Sequence, residues 1–129
     1  MSFEKEIGRI GEQLVAEWLK SKGYIITMQN FRSDYGEIDI VAENPKTVAF
    51  VEVKTRKQDS LVEPKDAVDK AKQRKLAITA KRFLKMAMLG DIKYRFDIAE
   101  VTYARDEKGE LKYSLNYIKN AFFYDLEED

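Results

Sequence analysis

Gly36-Glu37-Ile38-Asp39-Ile40-Val41-Ala42-Glu43, then Asn44-Pro45-Lys46, then Thr47-Val48-Ala49-Phe50-Val51-Glu52-Val53-Lys54-Thr55 makes two runs in which apolar and charged residues alternate at period two. Both runs are rich in Val, Ile and Phe, and Asn-Pro marks a turn between them, so the pattern predicts two adjacent strands in a hairpin. Residues two apart on a strand share a face, which pairs Glu37 with Asp39 and Glu52 with Lys54. These four charges either line the solvated side of a half-exposed hairpin or meet on one partly buried surface. The apolar run from Val48 to Val51 favours the second, because it suits a central strand covered on both sides. A carboxylate on such a strand needs a partner, and a divalent cation is one.

Working outward, the 129 residues suit one domain, 1–129, with one packed core. The 23 basic and 23 acidic residues cancel overall, yet they are segregated. Residues 54–85 hold 11 basic and 4 acidic residues, net +7, whereas residues 1–53 are net −3 and residues 86–129 net −4. A positive segment directly after the carboxylate hairpin is what an anionic substrate held beside a metal would call for; a solvated lysine-rich helix is the plain alternative. The chain has no cysteine and no histidine. That excludes disulfides, thiolate or imidazole metal sites, Ser-His and Cys-His nucleophiles and histidine acid–base chemistry, and leaves carboxylates and lysines. No apolar run approaches the roughly 20 residues of a membrane span and the N-terminus lacks a signal-like apolar segment, so a soluble, cytoplasmic protein is expected.

Upstream, Ile7, Ile10, Leu14, Trp18, Val15 and Leu19 recur at three and four, predicting an amphipathic helix over residues 3–22 that stops at Gly23. Glu12 falls at the edge of that stripe, as a snorkelling or capping group or as a ligand. Gly8 and Gly11 each cost about 1 kcal/mol in a helix interior, which suggests a close approach to the backbone here. Residues 24–31 read as a first strand and residues 32–36 as a turn, in which Arg32 and Tyr35 are ordinary turn residues or substrate contacts.

Downstream, residues 55–63 read as a polar loop, too long for a tight turn and a candidate mobile cover for the site, with a basic start at Arg56 and Lys57. Pro64 suits a helix N-terminus, and Val68, Ala71, Leu76, Ala80, Phe83 and Ala87 carry a stripe toward Gly90. On that helix Gln73 borders the stripe, while Lys70, Arg74, Lys81 and Lys85 face solvent. Residues 93–104 and 111–118 read as a C-terminal hairpin, with Arg95 and Asp97 a structural pair. The acidic tail, 125–129, is expected to fray. The order α-β-β-β-α-β-β, with a helical crossover before the fourth strand, predicts an α/β fold: a mixed five-stranded sheet flanked by two main helices, β4 parallel to β3.

Five blocks extend this reading: Gly8-Arg9-Ile10-Gly11-Glu12, Gly36-Glu37-Ile38-Asp39, Phe50-Val51-Glu52-Val53-Lys54, Lys72-Gln73-Arg74 and Arg95-Phe96-Asp97. Asp39 followed after twelve residues by Glu52-Val53-Lys54 resembles the signature of the PD-(D/E)XK nuclease superfamily. The five blocks in this order resemble its YraN-like family, itself similar to archaeal Holliday-junction resolvases. The proline that often precedes the superfamily's Asp is replaced by Gly36-Glu37-Ile38, the YraN-like form. The resemblance implies a restriction-endonuclease-like core and metal-dependent phosphodiester hydrolysis on DNA, including branched or junction DNA.

The same resemblance implies the site. Asp39 and Glu52, with the Val53 carbonyl, would hold Mg²⁺ or Mn²⁺, and Glu12 would take a second ion or a metal-held water. Lys54 would position the attacking water or stabilise the phosphate, and Gln73 would support the site. Arg56, Lys57, Lys70, Arg74 and Lys81 would hold DNA, and action on a two-fold junction would call for a homodimer. Two other classes stay open: a nucleic-acid-binding module with this fold and no catalysis, and an interaction protein whose lysine-rich helix meets an acidic protein surface.

Overall fold

The hairpin at residues 36–55 forms β2 (Glu37–Glu43) and β3 (Thr47–Lys57). Asn44 sets the turn: its Oδ1 accepts the backbone N–H groups of Lys46 and Thr47 at 2.9 and 2.8 Å, and its own N–H donates to the Thr47 carbonyl at 3.0 Å. Such Asx bonding is why Asn serves here. The structure, a computed structural model, describes residues 2–59 and 68–126. Around the hairpin stand α1 (Phe3–Ser21), β1 (Ile25–Arg32), α2 (Lys70–Met86), β4 (Lys93–Arg105) and β5 (Leu111–Phe122).

The sheet runs β1-β2-β3-β4-β5, with β3 and β4 parallel and every other neighbouring pair antiparallel. The α/β class, the element order and the parallel crossover are as the sequence predicts. β3 is central, and its alternation serves both layers. Val48 and Phe50 face α2 with Leu76, Ala80 and Phe83, whereas Ala49 and Val51 face α1 with Val15 and Leu19. Burying each large apolar side chain contributes roughly 1.5–3 kcal/mol.

Four boundaries or contacts depart from the sequence reading. β3 continues through Thr55, Arg56 and Lys57, which pair with Val101, Thr102 and Tyr103 of β4, because a parallel neighbour satisfies the backbone whatever the side chains are. The loop expected from residue 55 thus begins later, and its residues 60–63 lie outside the described residues. α2 starts at Lys70, not at Pro64, itself outside the described residues; Asp69 caps it by accepting the Lys72 N–H at 2.9 Å. At its other end the helix stops at Met86, with Met88 at a positive φ of 56°, so Gly90 is not the terminator. On α1 the buried line is Ile7, Gly11, Val15, Ala16 and Leu19, while Leu14 is 38% exposed. The cause is close docking: a Cβ on Gly11 would lie 2.2 Å from Thr55 Oγ1. Gly8 has no such neighbour within 4 Å.

Arg95 and Asp97 form the expected ion pair, Nε to Oδ1 at 2.8 Å. Asp97 is 1% exposed and also accepts from the Tyr117 hydroxyl and the Asn120 N–H, while Arg95 Nη2 donates to the Tyr24 hydroxyl at 2.8 Å. One buried charge thereby ties β4 to β5 and, through Arg95, to the connection between α1 and β1, with its acceptors satisfied.

Candidate functional site

β2 and β3 remain paired from Glu43 opposite Val48 to Ile40 opposite Val51, and the next step would set Asp39 against Glu52. There a side chain takes over from the backbone: Asp39 Oδ2 accepts the Val53 N–H at 2.7 Å. Ile38 packs with the α2 cluster and Ile40 with the α1 cluster, so the two-residue alternation expected from Glu37 to Ile40 breaks at Asp39. Glu37 is drawn to Arg32 of β1, Oε2 to Nε at 3.3 Å.

The Asp39 and Glu52 carboxyl groups lie close enough to act on each other by charge. Burial, and then the charge of Glu52, push the Asp39 carboxyl up to about 8, against the pull of the Val53 amide; Glu12 adds a further upward push. Lys54 Nζ lies 3.6 Å and Lys72 Nζ 3.5 Å from the same oxygen, Glu52 Oε1. Burial and the neighbouring Lys72 lower the Lys54 pKa in spite of Glu52. In Lys72 burial is outweighed by Lys54 and Glu52, and its pKa rises.

Glu12, carried by α1 beside Gly11, is half-buried. Its pKa is raised by burial, by Glu37 and by Glu52, against a hydrogen bond with Asn30. It acts on Asp39 and Glu52 through charge alone, and among the described residues no three acidic groups close around one point. It borders a cavity of about 560 Å³ lined also by Lys5, Gly8, Arg9, Gln13 and Gln29. Gly8 therefore fronts open space, where Gly11 fronts β3. On the α2 side a second cavity, about 390 Å³, is lined by Tyr35, Glu37, Lys72 and Lys75.

The expected residues thus divide. Asp39, Glu52 and Lys54 come together, with Val53 holding Asp39 by its amide. Gln73 is committed elsewhere: its side-chain amide donates to the Val68 carbonyl at 3.1 Å and its backbone N–H to Asp69, which secures the start of α2. Arg56 is half-buried on the β3 face that carries Glu52 and Lys54, with Nε lacking a hydrogen-bond partner among the described residues. Lys57, roughly 16 Å from Glu52 along the strand, borders a separate cavity with Phe3, Tyr103 and Arg105. Lys70 and Arg74 are exposed, and Lys81 is half-buried farther along α2.

Lys72 was not singled out by the sequence reading. Its neighbours at two residues, Lys70 and Arg74, lie about 200° away around the helix, so choosing them selects the outer face. The available signal was helical spacing: Lys72, Lys75 and the buried Leu76 and Thr79 fall on one side.

A hard divalent cation fits this donor set. The pair is all oxygen, and a carboxyl pushed up by burial and by a neighbouring carboxylate is one whose charged form a cation would favour.

An α-β-β-β-α-β-β chain that gathers carboxylates and lysines where its central strands separate has the α/β architecture of the restriction-endonuclease-like class. The chain belongs to the uncharacterised protein family UPF0102, the YraN-like family, whose profile matches residues 11–101. It is similar to the UPF0102 protein of Clostridium perfringens (strain ATCC 13124), 40% identical over 93% of this chain and 96% of the relative. Another relative, the UPF0102 protein of Alkaliphilus oremlandii (strain OhILAs), is 42% identical over 93% of this chain and 100% of its own. The UPF0102 protein of Prosthecochloris aestuarii is 40% identical over 92% and 94%.

Proposed function

We propose that the protein hydrolyses phosphodiester bonds in DNA with Mg²⁺ or Mn²⁺ held by Asp39 and Glu52. The observation that carries this reading is the meeting of these two carboxyl groups with Lys54 and Lys72 at the parting of β2 and β3. When bound, the ion would acidify water and neutralise charge building on the phosphoryl oxygens. The chain's own groups do the rest. The Val53 amide orients Asp39, and Glu52 is oriented by both lysines. Lys54, whose pKa burial lowers, handles the attacking water or the charged phosphate. Lys72 and Lys75 attract the phosphates that flank the reacting one. Glu12 supplies a further carboxylate from α1, and Gln73 fixes the turn of α2 from which Lys72 projects.

A nucleic-acid-binding module without catalysis is the second reading. It is favoured by both lysines lying on one Glu52 oxygen with, among the described residues, no third acidic group closing in. Incubating the protein with branched, duplex and single-stranded DNA in Mg²⁺, Mn²⁺ or EDTA separates the two: metal-dependent cleavage lost in Asp39→Asn supports the nuclease, and salt-sensitive binding with no cleavage supports the module. Resolution of junctions further requires a two-fold dimer, and light scattering that finds only a monomer with and without DNA would exclude that activity. Among the described residues no helix is long and apolar enough to cross a membrane.

A further inference from the structure

We propose that Tyr35 is a stacking platform for an unpaired base of the DNA substrate, seated in the cavity that Tyr35 borders with Lys72 and Lys75; this deepens the reading above and rests on it. The turn that carries Tyr35 is fastened to α2. The Ser33 N–H donates to the Gly36 carbonyl at 2.9 Å, and Ser33 Oγ accepts the Tyr35 N–H at 3.1 Å and bonds Thr79 Oγ1 at 2.7 Å. Thr79 is fully buried and donates in turn to the Lys75 carbonyl at 2.9 Å. The backbone beneath the ring is thereby held in one place.

The ring itself does not enter the core: Tyr35 is 49% exposed. The Arg82 guanidinium lies over it at 5.0 Å from the centroid, and Arg82 is itself drawn to Asp34. An aromatic ring has two faces, and cation–π contact occupies one. Tyr35 borders the roughly 390 Å³ cavity whose other walls include Lys72 and Lys75, and Lys72 reaches Glu52 Oε1 at 3.5 Å. The ring and the two lysines thus border one cavity, together with Glu37 and Asp69, and Lys72 joins that cavity to Glu52. A ring that can stack a base beside ammonium groups that can hold phosphates suits one nucleotide strand.

Stacking also selects the form of DNA. Inside a duplex both faces of a base are covered by neighbours, so only an unpaired nucleotide, at an end, flap or branch, presents a face to Tyr35. The bond cut would lie next to such a nucleotide.

The test uses the full-length Asp39→Asn protein in EDTA, with a flapped oligonucleotide and its fully paired counterpart, each also prepared with 5-iodouracil for photo-crosslinking to stacked rings. Adding Tyr35→Ala should weaken binding to the flap roughly ten-fold while changing duplex binding less than two-fold, and Tyr35→Phe and Tyr35→Trp should retain flap affinity. Crosslinking should label the peptide that contains Tyr35. If Tyr35→Ala binds both DNAs as its parent does, or loses both equally, or if Tyr35→Phe falls as far as Tyr35→Ala, the platform is overturned while DNA binding stands. If the parent binds neither DNA, both this inference and the proposed function fall.

Discussion

The Val53 amide donates to Asp39 Oδ2 at 2.7 Å, where a backbone bond between β2 and β3 would otherwise continue the ladder. This one exchange opens the sheet and anchors the acidic pair. It frees Glu52 to turn toward Lys54 and Lys72, and it gives Asp39 a fixed orientation. Residue chemistry and strand geometry are joined at that bond.

Chemistry and binding should separate by mutation. Asp39→Asn keeps the side chain's shape and removes its charge, so metal-dependent cleavage should fall by at least about a hundred-fold, roughly 3 kcal/mol in the barrier. DNA affinity in EDTA should stay equal near neutral pH, where the Asp39 carboxyl already keeps its proton, and rise above about pH 8, where the wild-type carboxylate repels phosphate. Replacing Lys70, Arg74 and Lys81 by Ala should weaken binding to all sequences and flatten its dependence on salt, by about one unit of slope per lost contact. Lys75→Ala, removing the same single charge as Lys70→Ala, should cost more affinity, since Lys75 borders the cavity. Filter binding over a salt series, with cleavage assays in parallel, measures all of these.

Stability should depend on pH through Asp39. Its folded pKa of about 8 stands above the ordinary value of 3.8, so between those values the folded chain keeps a proton that the unfolded chain releases. That contribution is fully present below about pH 4 and is lost as pH rises through about 8. In EDTA the wild-type protein should therefore lose roughly 1–3 kcal/mol more than Asp39→Asn between pH 4 and pH 9. Added Mg²⁺ should restore the wild type preferentially, because an ion that binds only the folded state stabilises it. Urea unfolding at several pH values gives the curves. Parallel curves for the two proteins would contradict the raised carboxyl.

Lys54 and Lys72 should behave differently although both touch Glu52 Oε1. Lys54→Met should abolish cleavage. Lys72→Met should reduce it at least about ten-fold and, by removing a neighbour that holds the Lys54 pKa down, shift the alkaline limb of the pH–rate profile upward. An unmoved limb with reduced activity would assign Lys72 to substrate contact alone.

The two helix glycines should separate structure from access. Gly11→Ala places a methyl group 2.2 Å from Thr55 Oγ1 and should destabilise by about 1–3 kcal/mol. Gly8→Ala meets nothing within 4 Å and should stabilise the helix by up to about 1 kcal/mol. Thermal unfolding compares them directly. A loss of activity in the more stable Gly8→Ala protein would mark the cavity beside Glu12 as a path for substrate.

Much of this architecture is legible in the chain because period and composition are local properties. Alternation around Asn44-Pro45 specifies the hairpin, the run from Val48 to Val51 makes β3 central, and twelve residues between Asp39 and Glu52 set the two acids across from one another. The absence of histidine and cysteine restricts the site to oxygen ligands and amines. What no local pattern contains is how closely and at what angle separate elements dock. The packing of α2 over Phe50 and Phe96 decides that Lys72 and not Gln73 reaches Glu52, and the start of that helix is set by Asp69, not by Pro64. Contact with β4 extends β3 through Lys57, and the approach of α1 to Thr55 distinguishes Gly11 from Gly8. The raised Asp39 carboxyl belongs to the same class, since its protonation depends on burial and on charges brought from β3 and α1. Those distances are fixed by side chains interdigitating across the sheet, and they exist only once the chain has folded.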